Sequence, residues 1–188
     1  MAYPQSVQGV LAHNQAFVEK SRAAAAARPA TGRPALGLAV VACMDARLAR
    51  MLPEALGLDD GDAVFVQVAG ASVREPYGEA MRSLLVAVGE LGVTDVMVVG
   101  HTDCGTCGMR AEHLAEALVA AGCDRARLEA ELAREPRAAA TLEGFACLED
   151  EVARSVAAVR AHPLIPDAVR VWGFTIDVAT GALTPVDR

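Results

Sequence analysis

The 188-residue chain reads as an α/β protein: a mainly parallel β-sheet flanked by helices, behind an N-terminal helical extension. Three observations predict this. Continuous apolar runs rich in β-branched residues recur along the chain, as strands buried on both faces require. Segments of helical period separate them, and strand–helix alternation specifies parallel strands joined by crossovers. A chain of this length suits one domain, burying about 70% of the surface its unfolded form exposes, so folding needs no disulfide.

Taken in order, Ser6 to Arg28 sets Val7, Val10, Leu11, Asn14, Phe17 and Val18 along one helical face. Pro29 ends that helix, and Thr31-Gly32-Arg33-Pro34 reads as a linker. Residues 1–34 are thus an arm and linker, and 35–188 the α/β domain. Leu36 to Cys43 is the first strand, and Leu48 to Leu56 a short helix with Pro53 near its end. Asp62 to Val68 is the second strand, followed by a turn at Gly70 and an amphipathic helix from Tyr77 to Leu91. Asp95 to Gly100 is the third strand, and Ala/Glu/Leu-rich helices fill about 110 to 160. Val169 to Val178 is the fourth, and Asp177 to Leu183 turns into a short final strand. There is no internal repeat.

Composition excludes several classes of function. A net charge of −7 argues against nucleic acid and anionic membranes, which need a basic surface. Apolar stretches such as Leu36 to Met44 are far shorter than the roughly 20 residues of a membrane span. No basic start with an apolar core marks a secretion signal, and the Ala23 to Ala27 run is too short to be one. Five cysteines, an odd number, suit reduced thiols in a cytoplasm better than a disulfide framework.

In open parallel sheets, ligands sit beyond the carboxyl ends of the strands. There the first strand ends in Cys43-Met44-Asp45-Ala46-Arg47 and the third in Gly100-His101-Thr102-Asp103-Cys104-Gly105. If those strands are near neighbours, Cys43, His101 and Cys104 converge. Two thiolates and an imidazole suit zinc, and three protein ligands leave an open tetrahedral position, as catalytic sites do. Water bound there has a pKa of about 7 instead of about 15.7. A lone cysteine at a strand end is ordinarily a small buried hydrophobe, and a lone histidine a hydrogen-bonded structural residue. Both motifs at two strand ends, with carboxylates beside them, favour the metal.

Asp45 and Arg47, two residues apart on leaving the strand, can pair. If exposed, such a pair is a surface salt bridge worth about 0–1 kcal/mol. In the functional reading, Arg47 fixes Asp45, and Asp45 orients the hydroxide toward substrate. Alternatively, Asp45 swings in as a fourth ligand and shuts the site. Gly70 and Gly105 would permit close backbone approach.

The segment Val40 to Arg47, with Gly100 to Gly105 downstream, resembles the β-carbonic anhydrases, whose signature is C-x-D-x-R followed roughly 50–60 residues later by H-x-x-C. Here His101 follows Cys43 by 58 residues. Gly173-Phe174 and Asp177 to Leu183 resemble the tail of the family's small bacterial members, and Asn14 to Val18 its N-terminal helix. The resemblance runs from about Leu36 to Val186 and is weakest from about 110 to 165. It implies reversible hydration of carbon dioxide to bicarbonate, zinc on Cys43, His101 and Cys104, and an Asp45–Arg47 pair. It also implies a homodimer or a multiple of dimers, with the N-terminal helix crossing to the partner.

Two departures stand out. Where the family usually reads Arg-Asn-Ala-Gly, this chain reads Gln67-Val68-Ala69-Gly70, which weakens the polar support there. Cys107 adds a second thiol to the loop. It could complete a closed Cys₃His structural site, or pair with Cys104 as a redox-active C-x-x-C. Carbonyl sulfide or carbon disulfide are alternative substrates, being linear and isoelectronic in their valence shells with carbon dioxide. A zinc-stabilised binding protein without turnover is a further alternative. His113, early in a predicted helix, suits a proton shuttle by its pKa class but fits a solvated helix face better.

Overall fold

The computed structural model describes residues 4–21 and 31–186. These fall into two units, one up to Gly32 and one from Arg33 onward. The first contains α1 (Gln5–Ser21). Val7, Val10, Leu11, Phe17 and Val18 are all exposed on it. The Ala23 to Ala27 run and the expected stop at Pro29 lie outside the described residues.

The second unit begins with β1 (Leu38–Cys43), α2 (Leu48–Leu56) and β2 (Ala63–Val68). A 3-10 turn over Ala69–Ala71 leads to α3 (Glu79–Gly89) and β3 (Asp95–His101). Then come α4 (Ala111–Ala120), α5 (Arg125–Arg134), α6 (Pro136–Leu142) and α7 (Leu148–Arg160), followed by β4 (Arg170–Ile176) and β5 (Leu183–Pro185). Helix α3 starts two residues later than its periodicity predicts, because Gly78 is extended (φ −79°, ψ 170°) and serves as the N-cap.

The five strands lie in the order β2-β1-β3-β4-β5. All neighbouring pairs are parallel except β4 with β5, which is antiparallel. The β4–β5 turn closes on Asp177, whose carboxylate accepts from the Ala179 and Thr180 N–H groups.

Period-two alternation in β1 divides the core. Ala39 and Val41 join Val96, Val98, Met81 and Leu84 of α3, and Val152, Val156 and Val159 of α7 on one face. Val40 and Ala42 join Leu48 and Leu52 of α2, Val99 and Ile176 on the other, together with Cys43, Cys104 and Phe145. Helices therefore cover both faces, which is why β1 and β3 are apolar without alternation. Because β1 and β3 are adjacent and parallel, their carboxyl ends deliver Cys43 and His101 to the same place.

Candidate metal centre

Cys43 is the last residue of β1, His101 the last of β3, and Cys104 follows in the next loop. One ligand atom from each lies within 4.8 Å of the others, and all three residues are buried, at 5%, 1% and 7% exposure. The two sulfurs are 3.9 Å apart. That is far beyond a disulfide bond of about 2.05 Å. It matches the roughly 3.8 Å between two thiolates that each sit about 2.3 Å from one tetrahedral zinc ion.

The imidazole supplies the sharpest test of whether a metal fits. His101 Nδ1 lies 2.8 Å from the Thr102 carbonyl oxygen, which can only accept, so Nδ1 carries the proton. Nε2 is then a bare lone pair. It is buried and has no hydrogen-bond partner. An orphaned buried acceptor costs about 1–3 kcal/mol, and a cation between the sulfurs and Nε2 would satisfy it.

The Cys43 thiol is pushed up by burial, pulled back by the Gly70 and Asp45 N–H groups, and pushed up again by Cys104. The Gly70 amide donates to Cys43 Sγ at 3.3 Å. Gly70 (φ 69°) and Ala71 (φ 55°) are successive left-handed residues that turn the chain sharply after β2. A Cβ on Gly70 would lie 2.7 Å from Thr106 Oγ1 and 2.8 Å from Phe145 Cε1, so only glycine fits there. At Gly105, a Cβ would meet nothing within 4 Å, so no close approach to the chain requires that glycine.

Asp45 stands at the mouth of this group, its Oδ2 3.8 Å from His101 Nε2. Arg47 holds it: the backbone N–H and Nε donate to Oδ1, and Nη2 donates to Oδ2 at 2.8 Å. These hydrogen bonds hold the Asp45 carboxyl well below the usual carboxylate range, against the upward push of burial. Arg47 also reaches the second loop, donating from Nη1 to the Asp103 carboxylate at 2.8 Å and from Nη2 to the Asp103 carbonyl. In the sequence, Asp103 reads as a solvated or capping residue between His101 and Cys104. Its part depends on a left-handed backbone (φ 53°) that no residue pattern announces.

Cys107 is not brought into the group of three ligands. Its thiol is exposed, with Sγ 3.9 Å from the Ala146 carbonyl. Gln67 is exposed on β2, and Val68 is half-buried opposite Cys43 in the sheet register. His113 is exposed on α4.

Residues missed by sequence reasoning pin the 104–109 loop. Phe145 N–H donates to the Thr106 carbonyl, Gly108 N–H to the Phe145 carbonyl, and Gly144 N–H to the Met109 carbonyl. A Cβ on Gly144 would lie 2.1 Å from the Thr106 carbonyl oxygen, so this pairing needs glycine. Arg74 secures the other side, donating to the Glu143 and Gly144 carbonyls and to the buried carboxylate of Glu151. A lone Gly144-Phe145 among Ala-rich helices was the available signal.

The carbonic anhydrase family model matches residues 38–183. The chain is 38% identical over 181 residues to YvdA, a candidate carbonic anhydrase of Bacillus subtilis (strain 168), covering 96% of this chain and 91% of that protein. It is 31% identical over 154 residues to a carbon disulfide hydrolase of Acidithiobacillus thiooxidans, covering 78% of this chain and 75% of that one. Among solved structures, β-carbonic anhydrase isoform I of Trichomonas vaginalis superposes with a TM-score of 0.82 at 27% identity, covering 98% of both chains.

Proposed function

Because the chain belongs to the β-carbonic anhydrase family, we propose that it is a zinc lyase hydrating carbon dioxide reversibly to bicarbonate and a proton. The observation that carries this reading is the buried Cys43–His101–Cys104 group with its unpartnered imidazole nitrogen. Cys43 and Cys104 would hold the ion as thiolates, and His101 through Nε2. When bound with three protein ligands, zinc acts as a Lewis acid that brings the pKa of water down to about 7.

The chain's own residues orient the reaction. Thr102, accepting from Nδ1, fixes the His101 tautomer and ring. Arg47 occupies Asp45 Oδ1 with two donors but Oδ2 with one, so Oδ2, the oxygen nearer His101, keeps a free lone pair. Asp45 thus stays ionised at neutral pH and acts as an acceptor. It takes a hydrogen bond from the attacking water and directs that water's lone pair at the carbon of the substrate. Gly70 N–H and burial keep the Cys43 sulfur in place.

Carbon disulfide hydrolysis, yielding carbon dioxide and hydrogen sulfide, is the second reading, favoured by the similarity to a carbon disulfide hydrolase. Carbonyl sulfide belongs with it. All five thiols are free, which supports a reducing compartment, the cytoplasm. Among the described residues, no helix is long and apolar enough to cross a membrane. The exposed apolar residues of α1, and Phe65 exposed on the outer strand β2, support a homodimer or a multiple of dimers.

The test is zinc analysis with stopped-flow carbon dioxide hydration at about pH 7 and about pH 8.5, beside carbon disulfide and carbonyl sulfide assays. One zinc per chain with hydration rising with pH is expected, and Cys43→Ser should lose both metal and activity. Zinc with hydrolysis of the sulfur substrates alone would transfer the assignment to the second reading. Absence of zinc would overturn both.

A further inference from the structure

We propose that Thr106 is a positioning residue for the metal centre, its hydroxyl donating a hydrogen bond to the Cys104 thiolate and so setting how firmly the metal is held. The inference rests on the reading of Cys43, His101 and Cys104 as zinc ligands. Thr106 Oγ1 lies 3.0 Å from Cys104 Sγ. A metal-bound thiolate has no proton to give, so the hydroxyl is necessarily the donor.

A threonine two residues beyond a cysteine often makes a casual local contact of this kind. Here the surrounding structure holds it in place from several sides. The Thr106 carbonyl accepts from the Phe145 and Met109 N–H groups, which fixes the backbone. The hydroxyl is wedged against Gly70, where even a methyl group would come within 2.7 Å of it. Gly70 in turn donates its N–H to Cys43. Donors therefore reach both sulfurs: the Gly70 N–H, beside that of Asp45, reaches Cys43, and the Thr106 hydroxyl reaches Cys104 from the loop after β3. A donor to a thiolate stabilises the anion without displacing the metal, and such outer partners are typically worth about 10–100-fold in metal affinity.

The experiment compares Thr106→Val, which keeps the shape and removes the donor, with Thr106→Ser, which keeps the donor. Zinc affinity is measured by competition with a chromophoric chelator, and the cobalt(II)-substituted proteins are compared by absorption. Thr106→Val should bind zinc about 10–100-fold more weakly. Its sulfur-to-cobalt charge-transfer band should move to longer wavelength, because a sulfur that loses a donor gives up electrons more easily. Thr106→Ser should keep the wild-type affinity and band. Thr106→Ala, which lacks the hydroxyl and adds no bulk, stands in if valine prevents folding. Wild-type affinity and band in the valine or alanine variant would overturn the proposal, as would a serine variant as weak as the valine one. A wild-type chain that binds no zinc would overturn the underlying metal reading, a distinct result visible in the first titration.

Discussion

Asp45 shows how much one side chain owes to its neighbour. Its carboxylate would be an ordinary surface acid without Arg47, whose three donors orient it and hold it ionised. Because its pKa is depressed in the fold, it stays charged through the neutral range and loses that charge only well below the usual pKa of about 3.9. Asp45→Asn keeps the shape but removes the charge and puts a donor where an acceptor is needed. Carbon dioxide hydration at about pH 8 should fall by about 10–100-fold with zinc content unchanged. Stopped-flow rates with metal analysis check this, and a fully active variant would remove Asp45 from the mechanism. Cys43, His101 and Cys104 were legible as a converging group because they end, or closely follow, two buried strands with carboxylates beside them. Asp103 and Thr106 were not, because a carboxylate and a hydroxyl are common in loops and their roles come from the fold.

Between elements, the junction of α7 with the loop after β2 carries a concentrated polar network. Glu151 is 1% exposed on α7 and faces Arg74 and Arg154 at 2.8 and 2.6 Å. Burial pushes its carboxyl up, but hydrogen bonds from Arg74 and Ser72 and the charges of Arg74 and Arg154 outweigh it and hold it below the usual value. A depressed pKa contributes stability above the unfolded value of about 4.3, lost as pH falls through the folded value. Glu151→Gln should therefore destabilise the protein by about 1–3 kcal/mol near pH 7, Arg74 and Arg154 being partly solvated. It should also flatten the fall in stability as pH drops below the unfolded value of about 4.3. Urea unfolding at several pH values measures both, and parallel pH curves for the two proteins would refute the assignment. The elements themselves were largely legible from periodicity. The ends of α3 were not, because Gly78 and the turn at Gly92 (φ 74°) depend on local backbone rather than apolar spacing.

For the whole molecule, the question is what covers its exposed apolar surface. On α1, Val10 is 67% exposed, with Leu11 and Val18 also exposed. In the second unit, Phe65 and Gln67 of β2 line a groove with Leu48, Leu52 and Pro53. Most helical stability in proteins comes from packing an apolar face rather than from propensity. In light scattering at micromolar concentration the chain should run as a dimer or a multiple of dimers, and Val10→Asp should shift it toward smaller species. A monomeric wild-type chain would refute this. The arm was legible as a helix with an apolar face, but what covers that face was implied only by the family resemblance, because an apolar stripe states that something must cover it and not what.

Several conclusions follow from the sequence alone: the alternating strands and helices, the donor types at two strand ends, and the Asp45–Arg47 pair two residues apart. All depend on near neighbours in the chain, and backbone periodicity converts such spacing directly into geometry. Only the tertiary structure decided that Gly70 donates to Cys43 from 27 residues away, that Arg47 reaches Asp103 across 56, and that Arg74 grips Glu151 across 77. It also left Cys107 outside the three-ligand group although it lies only three residues beyond Cys104. These outcomes turn on left-handed backbones and close-packed glycines, whose conformations are set by the segments packed against them rather than by their own sequence.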